Sequence, residues 1–113
     1  MHEIGVLMEV VNSVERLAKE NEVQKIQTLV LQIGEMSSMI PKYMQNLYPA
    51  AVDGTILEGS TLEIEILPAN ALCRECNKVF NLVKNNGNCP VCNTNNWEML
   101  SGKEFFIKEI VCC

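Results

Sequence analysis

Four of the six cysteines stand in two CxxC pairs. "CREC" supplies Cys73 and Cys76, and "CPVC" supplies Cys89 and Cys92, with the twelve residues Asn77 to Asn88 between them. In a reducing cytoplasm such a set reads as metal ligands and not as disulfides. Two CxxC knuckles at this distance are the spacing of a tetrahedral four-cysteine site, the usual structural zinc arrangement. Each knuckle turns two sulfurs toward one ion, and its free backbone amides soften the thiolate charge. Four thiolates leave no open position, so the metal is expected to hold structure and not to catalyse. Iron in a rubredoxin-like site uses similar knuckles, and Pro90 inside the second one suits that as well. The colour of the purified protein separates the two metals.

The second chemical signal is at the start, "MHEIG", which holds the only histidine. A free α-amine, the amide nitrogen of His2 and the His2 imidazole can chelate one ion together. A deprotonated amide nitrogen is a strong planar donor, which suits Ni(II) or Cu(II) in tetragonal geometry. Glu3 adds a further oxygen or its own amide. The alternative is that His2 is an exposed terminal residue without a role, the ordinary condition of termini.

The totals narrow the class. At 113 residues with 48% apolar content, the chain is one domain, or a small domain carrying a smaller module. A net charge of −5 argues against binding a phosphate backbone. No apolar run approaches the roughly 18–20 residues of a membrane span, and the N-terminus lacks the zones of a secretory signal. A soluble, cytoplasmic protein is expected. No Ser/His/Asp or Cys/His constellation is available beyond His2, and no phosphate-binding glycine loop occurs, so the chain does not read as an enzyme.

Several elements must position these residues. Ile4, Leu7, Met8, Val11, Val14 and Leu17 or Ala18 recur at helical steps and predict an amphipathic helix from about Glu3 to Asn21. "KIQTLVLQIGE" predicts a strand with Leu29, Leu31 and Ile33 on one face, ending at Gly34. "IPKYMQNLYPAAVDGT" predicts a second helix with Pro41 in its first turn, a stripe of Met44, Leu47, Tyr48 and Ala51, and a stop at Asp53-Gly54. Pro49 inside it predicts a kink or two short pieces. "STLEIEILP" alternates with Leu62, Ile64 and Ile66 inward. From about Ala71 to Trp97, cysteine, asparagine and glycine dominate, and this stretch is expected to lack an apolar core of its own. "KEFFIKEIV" is a closing strand, so the cysteine-rich piece reads as an insertion between two strands. The expected fold is α/β: a small sheet of about three strands packed with two helices, plus an inserted zinc-ribbon-like module.

With "MHE" at the start, "GTILEGSTLEIE" at 54–65, the CxxC pair at 73–92 and the closing "GKEFFIKEI", the chain resembles the HypA family of [NiFe]-hydrogenase nickel-insertion proteins. The likeness runs over nearly the whole length. It implies a nickel-binding α/β domain, here 1–69 with 102–113, and an inserted zinc domain, here 70–101. It implies Ni(II) as cargo at Met1, His2 and Glu3, and structural Zn(II) on Cys73, Cys76, Cys89 and Cys92. It also implies the GTPase HypB and the hydrogenase large subunit as partners, with urease maturation served by some members. Nucleic acid and membrane are not expected partners.

The chain departs from the family in having no second histidine near the knuckles, in Pro49 and "SSMIP", and in the closing Cys112-Cys113 pair. That pair reads as an exposed tail, with a soft-metal or redox role as the alternative. Two rival functions remain at the level of sequence: a zinc-ribbon adaptor that binds protein or nucleic acid, and a rubredoxin-like electron carrier.

Overall fold

The computed structural model describes residues 3–112. The chain runs α1 (Glu3–Glu20), β1 (Ile26–Gly34), α2 (Pro41–Val52), β2 (Thr61–Leu67), β3 (Asn70–Cys73), β4 (Val79–Asn81), β5 (Trp97–Met99) and β6 (Phe105–Cys112). Two three-stranded sheets form, one in the order β2-β1-β6 and the other β4-β3-β5. The chain divides into two compact units. One carries α1, α2 and most of the first sheet; the other is Ile33–Ser37 with Ile66–Phe105. This is the expected α/β fold with a four-cysteine insertion between strands.

In the first unit α1 packs against α2. Leu7, Val11, Val14 and Ala18 form the buried spine of α1, as the helical spacing predicts. Met8 and Leu17, also expected in that stripe, are 43% and 45% exposed, while Val10 and Glu3 are buried. At 3.6 residues per turn, Met8 and Leu17 fall just outside the two flanks of an arc centred on Leu7. In β1, Leu29, Leu31 and Ile33 are buried as expected, but so is Val30. β1 is the central strand, flanked on both sides, so its middle is apolar on both faces.

α2 runs unbroken through Pro49, so of the two expected outcomes the division into two short pieces does not occur. Pro49 and Gln45 both stand on the exposed face. The Gln45 carbonyl, which would have taken the missing amide proton, can therefore turn to water. Asp53 ends the helix, and Gly54 follows with φ 75°, the left-handed conformation glycine adopts freely. In β2 the inward alternation fades: Leu62 is buried, Ile64 half-buried and Ile66 49% exposed.

In the second unit β3 pairs antiparallel with both neighbours, setting Ala71 opposite Phe80 and Met99, and Cys73 opposite Trp97. Contrary to expectation, this unit has a small core of its own. Ala69, Ala71, Cys73, Phe80, Leu82 and Cys89 bury one another, with Trp97 and Met99 packed against them. Two of those six residues are metal-ligand candidates, so the apolar cluster and the cysteine cluster are one structure.

Three segments of this unit are strapped together at its base. Gly34 N–H donates to Glu104 O at 2.8 Å, Met36 N–H to Gly102 O at 2.8 Å, and Glu35 N–H to Leu67 O at 2.7 Å. A side chain on Gly34 would run into the Gly102 carbonyl, and one on Gly102 would lie 2.6 Å from the Ala69 Cα. Glu35 Oε1 accepts from the Ala69 amide at 2.9 Å and from Asn81 Nδ2 at 3.2 Å. These donors, the amide first, hold the Glu35 carboxyl below its ordinary value.

Candidate metal centre

Strand β3 ends at Cys73, and the chain turns back at once. Cys73 N–H donates to Lys78 O at 2.9 Å, and Asn77 N–H donates to Cys73 O at 2.9 Å. The second knuckle repeats this turn: Cys89 N–H donates to Thr94 O at 2.9 Å, and Asn93 N–H to Cys89 O at 2.8 Å. The residue after each knuckle's second cysteine takes a left-handed backbone, Asn77 at φ 61° and Asn93 at φ 59°. Asparagine tolerates this conformation better than other residues with a side chain, which explains its place there. Both knuckles therefore read Cys-x-x-Cys-Asn, a repeat the spacing argument overlooked although it lies open in the sequence.

The turns bring all four sulfurs within 4.8 Å of one another. Cys73 Sγ lies 3.4 Å from Cys92 Sγ, and Cys76 Sγ lies 3.6 Å from Cys89 Sγ. A tetrahedral zinc with bonds of about 2.3 Å needs sulfur separations of roughly 3.8 Å, so the donor set fits such an ion. Cys73 and Cys89 are buried, whereas Cys76 and Cys92 face solvent. This is the only grouping of three or more candidate metal-binding side chains among the described residues.

The electrostatics point the same way. The Cys92 and Val91 amides donate toward Cys89, the first of them most strongly, and its thiol is held down to about 6. Cys92 moves in the opposite direction, to about 12, because its hydrogen bond with Cys73, and after it a partial loss of hydration among its neighbours, favour the neutral thiol. For Cys76 the Lys78 amide favours the thiolate, but a partial loss of hydration and the Cys89 and Cys73 thiols outweigh it and raise the value. Four sulfurs this close share protons because they cannot all carry charge. A divalent cation replaces those protons and lets every sulfur ionise.

Trp97 steadies the second knuckle by donating from Nε1 to Gly87 O at 2.9 Å. Arg74 N–H donates to Asn96 O at 3.0 Å, tying the first knuckle to the segment before β5. Trp97 was visible in the sequence only as the end of the cysteine-rich stretch; its role depends on tertiary placement.

The other expected site lies at the amino terminus. Met1 and His2 fall outside the described residues. Glu3 opens α1 and is buried, and its Oε2 accepts from the Ile40 amide at 3.2 Å. Ile40 is the N-cap of α2 and has no cap from its own side chain. The Glu3 carboxylate thus caps a helix other than its own. Cys112, expected in an exposed tail, is exposed but is the last residue of β6, where it lines an apolar groove of about 260 Å³ with Leu17, Ile26 and Ile110. Cys113 lies outside the described residues.

A family model described as "Hydrogenase/urease nickel incorporation, metallochaperone, hypA" matches residues 1–112. The chain belongs to the HypA family. It is similar to the hydrogenase maturation factor HypA of Trichodesmium erythraeum, 34% identical over 97% of this chain and 94% of that protein. It is also similar to that of Nostoc sp. PCC 7120, 36% identical over the same shares. Its fold is like the solution structure of a HypA protein, with a TM-score of 0.71, 25% identity, and coverage of 100% and 97%. The solution structure of the nickel metallochaperone HypA from Helicobacter pylori has the same fold, with a TM-score of 0.67, 24% identity, and coverage of 99% and 97%. HypA proteins are nickel metallochaperones of hydrogenase and urease maturation, and the four-cysteine cluster described above belongs to a member of that family. No helix among the described residues is long and apolar enough to cross a membrane.

Proposed function

We propose that this chain carries Ni(II) for maturation of a [NiFe]-hydrogenase, binding it at Met1, His2 and Glu3, while Cys73, Cys76, Cys89 and Cys92 hold a structural Zn(II). In this reading residues 1–69 with 102–113 form the nickel domain and 70–101 the zinc domain. The observation that carries the reading is the match to the HypA family over residues 1–112, together with the lone histidine beside the terminal amine. The four-sulfur cluster supports the division of labour, because a closed tetrathiolate has no position for a transient cargo.

The ligands are the free amine, the His2 amide and the His2 imidazole. The Glu3 backbone is their immediate neighbour, and its side-chain bond to Ile40 anchors the first residue after the chelate. Nitrogen donors in a plane suit Ni(II), and the set is easily reversed by protonation, as release to an acceptor requires. The imidazole has an ordinary pKa near about 6.5 and the α-amine near about 7.7–8.0. Both must lack a proton to bind, so affinity falls as pH drops from about 8 to about 6. The partners of this reading are the GTPase HypB and the hydrogenase large subunit, in a cytoplasmic setting, and the chain itself catalyses nothing.

The test is nickel titration of three purified forms, untagged, His2→Ala and N-terminally extended, with zinc assayed in parallel. The untagged protein binds one nickel tightly. The other two lose that binding and keep their zinc. Equal nickel affinity in the extended form would remove the amine from the ligand set and overturn the mechanism.

A further inference from the structure

Between the two knuckles the chain makes a tight turn, "NNGN", at Asn85–Asn88. Asn88 N–H donates to Asn85 O at 3.0 Å, closing a four-residue turn. Its two central residues both have positive φ, Asn86 at 51° and Gly87 at 78°. That is the signature of a type I′ turn, for which Asn-Gly is the favoured pair. Asn86-Gly87 is also the only Asn-Gly dipeptide in the chain.

The same dipeptide has a covalent reactivity. Glycine has no side chain to shield its amide nitrogen, so that nitrogen can attack the neighbouring asparagine carbonyl carbon. The Gly87 nitrogen bonds to Asn86 Cγ, the Cγ–Nδ2 bond breaks, and the amide proton leaves with the nitrogen as ammonia. Water then adds to either carbonyl of the resulting succinimide. One ring C–N bond opens, leaving aspartate or isoaspartate at position 86.

In the fold both backbone groups of Gly87 are engaged. Its N–H donates to Leu82 O at 2.9 Å, and its carbonyl accepts from Trp97 Nε1 at 2.9 Å. Leu82 belongs to the buried cluster that contains Cys73 and Cys89, and Trp97 packs against it. The attacking nitrogen is therefore held by the cluster that contains two of the four cysteines, while the Asn86 side chain stands exposed to water.

We propose that Asn86 is a latent deamidation site gated by the four-cysteine module: protected while the module is closed, and converted once it opens. The isoaspartate product inserts an extra carbon into the backbone three residues before Cys89. It also places a negative charge next to the second knuckle. A chain that stays open long enough then regains its metal poorly, so the modification marks and retires carriers that have lost zinc. The inference goes beyond nickel carriage, but its metal arm rests on the reading of zinc at the four cysteines.

The experiment incubates the full chain at neutral pH and 37 °C in zinc-loaded, chelator-stripped and urea-unfolded forms, with zinc assayed throughout. Peptide mass spectrometry follows deamidation at Asn86. The stripped and unfolded chains gain the modification on the order of tenfold faster than the loaded chain, or more, because local opening exposes the amide. Trp97→Phe, which removes the donor to Gly87 while leaving the cysteines, gives an intermediate rate. Asn86→Gln, whose side chain is one carbon too long to close the five-membered ring and which leaves no Asn-Gly pair in the chain, gains none, and after long incubation without metal it takes back full zinc when the parent chain does not. Equal rates in the loaded and unfolded chains would overturn the proposal, as would modification at other asparagines in place of Asn86. A loaded sample that holds no zinc would instead overturn the zinc reading, and the Trp97→Phe and urea arms would still decide whether the fold protects Asn86.

Discussion

Asn77 and Asn93 show what a metal site requires beyond its ligands. A CxxC turn can aim two sulfurs at one ion only if the chain reverses immediately after the second cysteine. Here a left-handed residue makes that reversal in both knuckles. Asn77→Gly should therefore be neutral or nearly so. Asn77→Val should destabilise the metal-bound unit by about 1–2 kcal/mol, since a β-branched residue resists that conformation. Competition with a chromophoric chelator measures the difference as weaker zinc retention in the valine variant, and equal retention in both would show that the turn does not depend on the left-handed residue. At this scale the sequence was highly legible for the ligands themselves, because cysteine spacing is a direct record of geometry. It was less legible for Trp97 and Leu82, whose partner Gly87 is ten residues from one and five from the other.

The elements were readable wherever local periodicity decides, and misread where a neighbour does. α1 and β1 follow from the spacing of their apolar residues. The flanks of α1 do not, because whether Met8 or Val10 is buried depends on where α2 lies. Pro49 was expected to kink α2 or split it, and the split does not occur, because a proline on the solvent face of a last turn removes only one hydrogen bond, which water can replace. The beginning of α2 was announced by Pro41, but what caps it was hidden for a related reason. Its cap comes from Glu3, 37 positions earlier, and no local signal announces that. Glu3→Ala should consequently destabilise the first unit by about 1 kcal/mol, as loss of a helix cap usually does. Thermal unfolding of the metal-free nickel site measures it directly, and hydrogen exchange should show the loss concentrated at the start of α2. A Glu3→Ala protein as stable as the parent would mean that the Ile40 amide finds another acceptor.

At the scale of the whole molecule, two units with separate cores are held by different means. The first has a spine of Leu7, Val11, Val14, Leu29, Leu31, Met44 and Leu57, all nearly inaccessible to water. The buried cluster of the second has six residues, two of them cysteines, so it is too small to stand without its metal. That asymmetry was half legible. The composition change at Ala71 announced a segment short of aliphatic residues, but the contribution of Phe80 and Leu82 to a joint core with the thiols required the fold. Removing the metal should separate the units thermodynamically. Structural zinc supplies on the order of 10 kcal/mol of folding free energy in small modules, more than a six-residue cluster with only Phe80 and Leu82 as large side chains can replace. In the stripped chain, amide protection is lost at Ala71, Cys73 and Leu82, whose N–H groups bond within the ribbon, while protection persists at Leu29 and Leu31. Cys73→Ser and Cys92→Ser reproduce the stripped pattern without a chelator, and proteolysis then cuts between Ile66 and Phe105 while leaving the helices intact. Hydrogen exchange followed by mass spectrometry reads both outcomes in one experiment. Uniform loss of protection across the two units would show a single cooperative structure and refute the separation. Retained protection in the ribbon would show that its apolar cluster suffices without the metal.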